Sequence, residues 1–559
     1  MGAGEAQFES ARTRAVAAGM PVVRRAWPYL PVAFAVVYFA LLLSSLGSIA
    51  HAIYLGADTA SGAYMGELSG QAPAGAQIVL GNYAWFTTLW FEELTRWLPH
   101  HHQLWEIGPW LLSLTGIGLV AWSGAKAAGR WTGTMVAVVL ACASPGLLQF
   151  QFAGNAHTPS FATVALLGAF LVWCAQRGGL AGRPVAHVLC CAVLAAIAGV
   201  GFASDELVGI AGIAPMMLSG FVLAWLLASP AGWRIAASTT AIGAAAIAAG
   251  LVVRHAVEAA KVTSVPLPIS FATWDRIAPN ARLAAHGLAY LFNGYFAGAR
   301  VEKRSLLALA CAVLILTGAA VAARFGWRWL RDALAGAMTR QRPAAGRPAA
   351  LAAYTTFWLL TGVLTTAAFV LSTAPVDEIS SRYLLSVGYA IVALVPLAAL
   401  AHGSLGRGAV VAGACVLALA GIGSLKRHDV QANGRASSLM PIPGPLLRLA
   451  RAEDVRYGYA GYGVAAPLSW EMKSAVQLYP VAMCGSTLCP VRLHRISSWY
   501  VPRPRTRSML IVDPADPAYV TSAAPPGPPV PFGRPDRVAR IGPVTVYVYP
   551  YDIAARFGS

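Results

Sequence analysis

Residues 184–228 read PVAHVLCCAVLAAIAGVGFASDELVGIAGIAPMMLSGFVLAWLLA. Two apolar runs, 185–204 and 207–229, flank one acidic pair, Asp205 and Glu206. Each run has about the 20 residues that an α-helix needs to cross the hydrocarbon of a bilayer. Backbone polar groups cannot stay unpaired in lipid, so the break between the runs belongs at a membrane surface. The stretch is a helical hairpin punctuated by two carboxylates.

The rest of the chain repeats that pattern. Of its 559 residues, 57% are hydrophobic and 11% charged, and the mean hydropathy is +0.59. A soluble domain is nearer a quarter charged, so an ordinary soluble enzyme, a disordered regulator and a disulfide mini-protein are excluded. Further apolar runs lie near 28–50, 105–124, 132–153, 159–176, 235–253, 305–323, 350–373, 383–402 and 408–424. Together they make about eleven spans. The pair 132–176 is a second tight hairpin, punctuated by Asn155, His157 and Pro159. The expected fold is a polytopic α-helical membrane protein over 1–424, followed by a smaller domain over 425–559.

A net charge of +18 would point to nucleic acid in a soluble chain. Here the basic residues sort by side of the membrane. Arg12, Arg14, Arg24 and Arg25 precede the first run. Alternate connections carry Lys126 and Arg130; Arg177 and Arg183; Arg234; a cluster from Arg324 to Arg347; and Arg407. The intervening short loops hold little besides Arg96 and Arg382. By the positive-inside rule the N-terminus is cytoplasmic, and an odd number of spans puts the C-terminus outside. The first run is span-length, follows a long basic lead and has no clear cleavage site, so it is not a cleaved signal peptide. Asp58, Glu67, Glu92, Glu93, Glu106, Asp205, Glu206, Glu258, Asp275, Glu302, Asp377 and Glu378 all fall on the outer side. As a set they imply a polar chamber facing outward at the membrane surface.

Two outer loops are long. The first, 51–104, turns aromatic around Trp85, Leu89 and Trp90, which reads as a helix in the headgroup plane. His100–His102 also read as interfacial. The second, 254–304, holds an amphipathic stretch at 278–296, and its basic residues break the short-loop charge rule, as long loops can. Beyond 425, strand-like stretches at 455–463, 508–513 and 544–551 and a Pro-rich segment at 521–535 fit a small α/β domain. Six cysteines, Cys142, Cys174, Cys190, Cys191, Cys311 and Cys415, sit in spans as packing residues. Cys484 and Cys489 sit alone in the tail, where an oxidising milieu favours a small-loop disulfide. A zinc site there would need more ligands, and His494 is the one nearby candidate.

Several motifs resemble a known family. The first outer loop carries a lone Asp58 after the first span and then the aromatic stretch, and SRYLL (381–385) stands at the outer end of a late span. This pattern resembles the GT-C glycosyltransferases, and more narrowly the bacterial membrane enzymes of the family-39, protein-mannosyltransferase-like group. The tail segments GYAGYGVAAPLSWEMKSAVQLYPV (458–481) and HRISSWYVPRPRTRSMLIVD (494–513) are similar to the outside domain often appended to such proteins. The resemblance implies a polyprenyl-phosphate-linked sugar donor and transfer at the outer face of the bacterial inner membrane. The acceptor would be an envelope glycan, lipid or protein. Asp58 matches the family's loop aspartate, which serves the acceptor as a base or through a metal. ADTASG (57–62) has no second acid, so a divalent cation, Mg or Mn, stays open.

The chemistry fits these residue types. Transfer needs a base for the acceptor hydroxyl and positive charge for the leaving phosphate. Asp58 is the first choice for the base, with small residues around it that leave room for substrate. Glu67, Asp205 and Glu206 rank second. For phosphate, Arg382 with Tyr383 leads, because a guanidinium presents a fork of donors. Arg254 with His255, and Lys261, follow. No phosphate-binding GxxxxGK[ST] loop, HExxH or GxSxG is present, and the cytoplasmic loops are too short for a nucleotide-sugar domain. A transporter or flippase of lipid-linked glycans is the rival, yet transporters favour charge at mid-bilayer and here it gathers at the rim. A non-enzymatic scaffold that binds envelope polymers is the third reading. A reporter enzyme fused after Ser559 is expected to be active only outside the cytoplasm, and a cytoplasmic signal would overturn the odd span count.

Overall fold

A computed structural model describes residues 29–81, 92–93, 97–98, 101–154, 157–178, 184–227, 229–265, 269–294, 303–338, 346–426, 438–484, 487–515 and 532–558. Trp85, Leu89, Trp90, His100, Asn155, Glu302, the N-terminal arginines and nearly all of the Pro-rich segment lie outside the described residues, as do Arg96, Arg183, Arg340 and Arg342. Among the described residues, nine helices are long and apolar enough to cross a bilayer, and two bent helix pairs raise the count to eleven. Their positions match the eleven apolar runs.

The bent pairs depart from straight spans. Leu30–Ser44 and Leu46–Tyr54 meet at 66° across Ser45, and Arg130–Ala141 meets Pro145–Phe152 at 88°. The sequence reads 132–153 as one span, and the structure breaks that run at Cys142–Ser144. Pro145 starts a new helix and Ser144 caps it, its hydroxyl accepting from the Leu147 N–H at 3.0 Å. Twelve residues rise only about 18 Å, short of the ~30 Å hydrocarbon, so Arg130–Ala141 alone does not cross. Helices Thr158–Gln176 and Leu385–Leu400 are buried almost throughout and form the centre of the bundle. Pro184–Ser204 lies at its edge and exposes Val185, Val188, Leu189 and Val193, the apolar stripe expected toward lipid. Of the six cysteines in spans, Cys142, Cys174, Cys311 and Cys415 are buried and Cys191 is half-buried, but Cys190 is exposed on that edge helix.

Helix Trp274–Leu291 is amphipathic, as the second outer loop leads one to expect. Asn280, Ala284, Gly287, Leu288 and Leu291 form its buried stripe, while Trp274 is exposed. The Asn280 amide donates to the Val370 and Ser372 carbonyls at 3.0 and 2.9 Å, which ties the second outer loop to the 371–377 turn.

The tail forms a six-stranded mixed sheet. In chain order its strands are β3 (Tyr457–Gly461), β4 (Gln477–Cys484), β5 (Thr487–Pro490), β7 (Ser508–Val512), β8 (Arg537–Ile541) and β9 (Val544–Tyr549), arranged β5-β4-β3-β7-β9-β8. β3, helix Tyr462–Glu471 and β4 make a parallel crossover unit, and Cys484 and Cys489 are disulfide-bonded across the β4–β5 hairpin. Strand side chains alternate between faces, and β9 uses this fully. Val544, Val546 and Val548 enter one apolar cluster with helix Pro443–Ala452. Tyr547 and Tyr549 enter another with Tyr54, Ala60, Tyr64 and Trp105 of the membrane region. The sheet is thus covered on both faces, once by its own helix and once by the bundle. Each buried aromatic adds about 1.5–3 kcal/mol.

Three further strands tie distant segments together. β1 (Ile78–Leu80) from the first outer loop pairs in parallel with β2 (Val262–Ser264) from the second, and antiparallel with β6 (Arg495–Ile496) from the tail. The tail is therefore stitched to both outer loops by backbone hydrogen bonds.

Gly458 sits in the central strand β3, where an added Cβ would lie 2.6 Å from the Met509 carbonyl oxygen on β7. Gly458→Val is expected to force β3 and β7 apart and destabilise the tail by about 1–3 kcal/mol. Limited proteolysis of the purified protein should then release tail fragments at a lower temperature than in the parent.

Candidate active site

Asp58 lies in the first turn of helix Ala57–Ser69, just past the first bent pair, and is exposed. A carboxylate is favoured there by the helix dipole. The small residues around it do not hold space open for substrate, which corrects the sequence reading. Thr59, Ala60, Ser61, Gly62 and Ala63 are buried, and helix Tyr462–Glu471 of the tail packs on this helix. They leave room for the tail. Only the face that carries Asp58 remains open.

The tail brings two residues to Asp58 that sequence reasoning did not assign to the site. The Tyr462 hydroxyl donates to Asp58 Oδ1 at 3.3 Å and accepts from Ser61 Oγ at 3.0 Å. The His494 ring stacks on Tyr462, centroids 5.8 Å apart and planes at 23°. His494 is buried, and its Nδ1 has no hydrogen-bond partner among the described residues. Gly81, at the end of β1, makes its place: a Cβ there would lie 2.6 Å from His494 Nε2. Burial pushes the His494 imidazole down to about 4, against the pull of Asp58, so it is neutral at neutral pH. Burial also raises the Tyr462 phenol, Asp58 adds to this, and the Arg382 charge opposes it. Asp58 and Arg382 therefore both act on one phenol.

Arg382 belongs to the 3-10 turn Glu378–Leu384, which Asp377 opens as an N-cap, its carboxylate accepting from the Ser380 N–H at 3.0 Å. Asp377 is thus committed to the turn rather than to an ion pair with Arg382. The Arg382 guanidinium lies 5.2 Å from the Tyr383 ring centroid, and its Nη2 donates to the Tyr383 hydroxyl at 3.3 Å. His157 also lies against Tyr383, centroids 5.0 Å apart.

His157 and Asp205 form a buried pair, Nδ1 to Oδ2 at 2.6 Å. Ser160 also donates to Asp205 Oδ2, and the Leu207 N–H donates to Oδ1 at 3.0 Å. His157 has φ of +67° at the N-cap of helix Thr158–Gln176. That left-handed conformation costs a non-glycine residue about 1 kcal/mol or more. It is stabilised by Thr158 Oγ1, which donates to the Phe150 and Ala153 carbonyls at 2.6 and 3.0 Å. Burial alone would raise the Asp205 carboxyl, but the His157 charge and the donors from His157, Ser160 and Leu207 bring it below its ordinary range.

A cavity of about 430 Å³ opens beside this pair. Asp205, Glu206, Arg254, Glu258 and Tyr383 are among its polar lining, and Ile210, Ile269, Ala368 and Phe369 among its apolar lining. The π-helical turn Gly209–Ile213 forms part of it, and Thr361 Oγ1 donates to the Ala211 carbonyl at 3.0 Å there. Arg254 Nη1 lies 3.3 Å from Glu206 Oε1 on the cavity wall. The remaining sequence choices fall elsewhere. Glu67 accepts from Ser474 Oγ at 2.8 Å and braces the tail. His255 is exposed on its helix. Lys261 Nζ donates to the Gly75 carbonyl at 3.4 Å. Glu92 is buried and accepts from the Trp105 indole at 2.8 Å. Among the described residues, no three His, Cys, Asp or Glu side chains converge into a metal-ligand set, so no residues are assigned here to Mg or Mn.

The His494 imidazole gives a pH signature. Its folded-state pKa is depressed to about 4 from an ordinary 6.5, so the unfolded chain takes up the proton first as pH falls. The stability it reflects is present above about pH 6.5 and is lost on the way down to pH 4, about 3 kcal/mol in all. The thermal midpoint of the detergent-purified protein should fall across this window, and His494→Phe should flatten that fall.

No family model matches the chain, and no curated protein matches it. Two solved structures are similar to it. One is the oligosaccharyltransferase of Archaeoglobus fulgidus in the apo form, with a TM-score of 0.43 and 13% identity over 80% of this chain and 64% of that one. The other is ArnT from Cupriavidus metallidurans in the apo state, with a TM-score of 0.42 and 13% identity over 93% of this chain and 99% of that one. The chain thus spans less than two thirds of the length of the archaeal oligosaccharyltransferase chain.

Proposed function

We propose that the protein is an integral membrane glycosyltransferase that takes a sugar from a polyprenyl-phosphate donor. On this reading the acceptor is a component of the cell envelope, and transfer occurs at the outer face of the bacterial inner membrane. What supports the reading is geometric: the exposed Asp58 carboxylate accepts from the Tyr462 hydroxyl, and Arg382 donates to Tyr383, which lines a cavity of mixed polar and apolar residues.

The residues divide the work as follows. Asp58, exposed and held by Tyr462, accepts the proton of the acceptor hydroxyl. The acceptor oxygen forms a bond to the anomeric carbon as the bond from that carbon to the phosphate oxygen breaks. The electron pair leaves with the polyprenyl phosphate, and Arg382 and Arg254 stabilise its growing charge. A single displacement of this kind inverts the anomeric centre. The apolar lining at Ile210, Ala368 and Phe369 suits the first units of a prenyl chain. His157 and Asp205 position Tyr383 and, through its ring and hydroxyl, Arg382.

The test is transfer by purified protein from a panel of polyprenyl-phosphate sugars. Asp58→Asn keeps an oxygen that accepts from the Tyr462 hydroxyl but removes the base, and transfer should fall by about 10²–10⁴-fold. Arg382→Ala should fall by a comparable factor. Full transfer by Asp58→Asn would refute the assigned base, and retention at the anomeric carbon would refute the single displacement.

A further inference from the structure

A second cleft lies at the opposite end of the bundle. Helix Arg347–Val370 connects the two: Thr365, Ala368 and Phe369 line the first cavity, and Pro348, Leu351 and Ala352 line the second. From Ala368 to Leu351 the helix rises roughly 25 Å, close to the ~30 Å of hydrocarbon in a bilayer. The two openings therefore face opposite leaflets.

The second cleft measures about 590 Å³ and sits between four helices, with Leu226, Val321, Phe325, Leu351 and Ala398 as its apolar walls. Arg324, Arg328, Trp329 and His402 stand around it. Arg324 and Arg328 are one turn apart on helix Lys303–Met338, so they share a face. Both are exposed, and neither has a carboxylate partner among the described residues. The one acid in the lining, Asp332, is paired with Arg331 at 3.0 Å. The Nδ1 of His402 donates to the Ala398 carbonyl at 3.0 Å, which leaves Nε2 as its remaining polar atom. Two guanidiniums over an apolar slot between transmembrane helices match one ligand chemistry, a phosphate monoanion attached to acyl chains.

We propose that this cleft binds an anionic glycerophospholipid, with the phosphate between Arg324 and Arg328 and an acyl chain along Phe325, Val321 and Leu351. A bulk attraction of headgroups to basic loops would need no cleft. Here the charges stand at the mouth of an apolar slot, so binding is stoichiometric. Nothing in this site overlaps the groups assigned to transfer, and the two readings fail independently.

The probe is phosphatidylglycerol against phosphatidylcholine, added to the full-length detergent-purified protein and counted by native mass spectrometry. One phosphatidylglycerol is expected to bind in preference to phosphatidylcholine. Arg324→Ala and Arg328→Ala should each weaken that preference about fivefold, with the thermal midpoint in phosphatidylcholine unchanged. Leu351→Trp fills the slot and keeps the charges, and should also abolish the preference. Arg407→Ala, exposed outside the cleft and over the Trp131 ring, should leave it intact. An equal loss in Arg407→Ala, or full preference in Leu351→Trp, would mean that headgroups gather on surface charge, and the proposal would fall. No preference in the parent protein would end it as well.

Discussion

The three-stranded sheet β2-β1-β6 is the constraint from which the site follows. Ile78 pairs with Val262 on one side and with Ile496 on the other, so the first outer loop, the second outer loop and the tail are held at backbone spacing. Without it, Gly81 would not meet His494, and His494 would not lie on Tyr462. Such short strands do not hold on their own, since closing long loops costs entropy that a few hydrogen bonds do not recover. The aromatic cluster of Tyr54, Tyr64, Trp105, Trp470, Tyr479 and Trp499 supplies what they lack. Tyr64 adds a direct bond, its hydroxyl donating to the Leu478 carbonyl on β4 at 2.6 Å.

This explains why the tail is a partner of the bundle and not an appendage. Its sheet shows valines to one side and tyrosines to the other because the two sides meet different neighbours. Val544, Val546 and Val548 meet an amphipathic helix of the same domain. Tyr457, Tyr459 and Tyr479 meet the bundle and a layer of mixed polarity, where Arg503 lies 4.1 Å over the Tyr457 ring and Asp552 accepts from the Tyr459 hydroxyl at 2.8 Å. An aromatic with a polar handle suits that layer, and a valine does not. The tail is rich in arginine, and part of that charge is spent within the domain, as where Arg507 and Arg537 both bind Glu453.

What was legible in the sequence follows from range. Span positions depend on windows of ~20 apolar residues, and every described span falls where its run predicts. The stripe Asn280, Ala284, Gly287, Leu288 and Leu291 follows from helical periodicity. Asp205 was legible as a rim acid because Asp205 and Glu206 interrupt two long runs. Its pairing with His157 was not, although His157 interrupts the other hairpin in the same way, and two interruptions on one membrane side are a usable signal. The bend at Cys142–Ser144 was announced only by Ser144-Pro145, a cap followed by a proline at the first helical position. Nothing in the sequence tied Tyr462 and His494 to Asp58. Each sits roughly 400 residues or more from it, and the packing of helix Tyr462–Glu471 on helix Ala57–Ser69 together with the pairing of β6 with β1 brings them there.

Local rules break where the site is built. His157 and His494 both hold positive φ, and among the described residues the buried His494 Nδ1 has no hydrogen-bond partner. A stable fold has no use for these features on their own, since each costs free energy that packing elsewhere must offset. His157 is the instructive case. Left-handed at a helix N-cap, it turns its ring away from the helix it starts and onto Asp205, at the cost of the side-chain cap a serine would give there. Its ring then fixes Tyr383, and Tyr383 fixes Arg382 by ring and hydroxyl together. A long, flexible arginine at a membrane rim would sample many rotamers if left to itself. The strain at His157 and the order at Arg382 are two ends of one chain of contacts, and the first makes sense as the cost of the second.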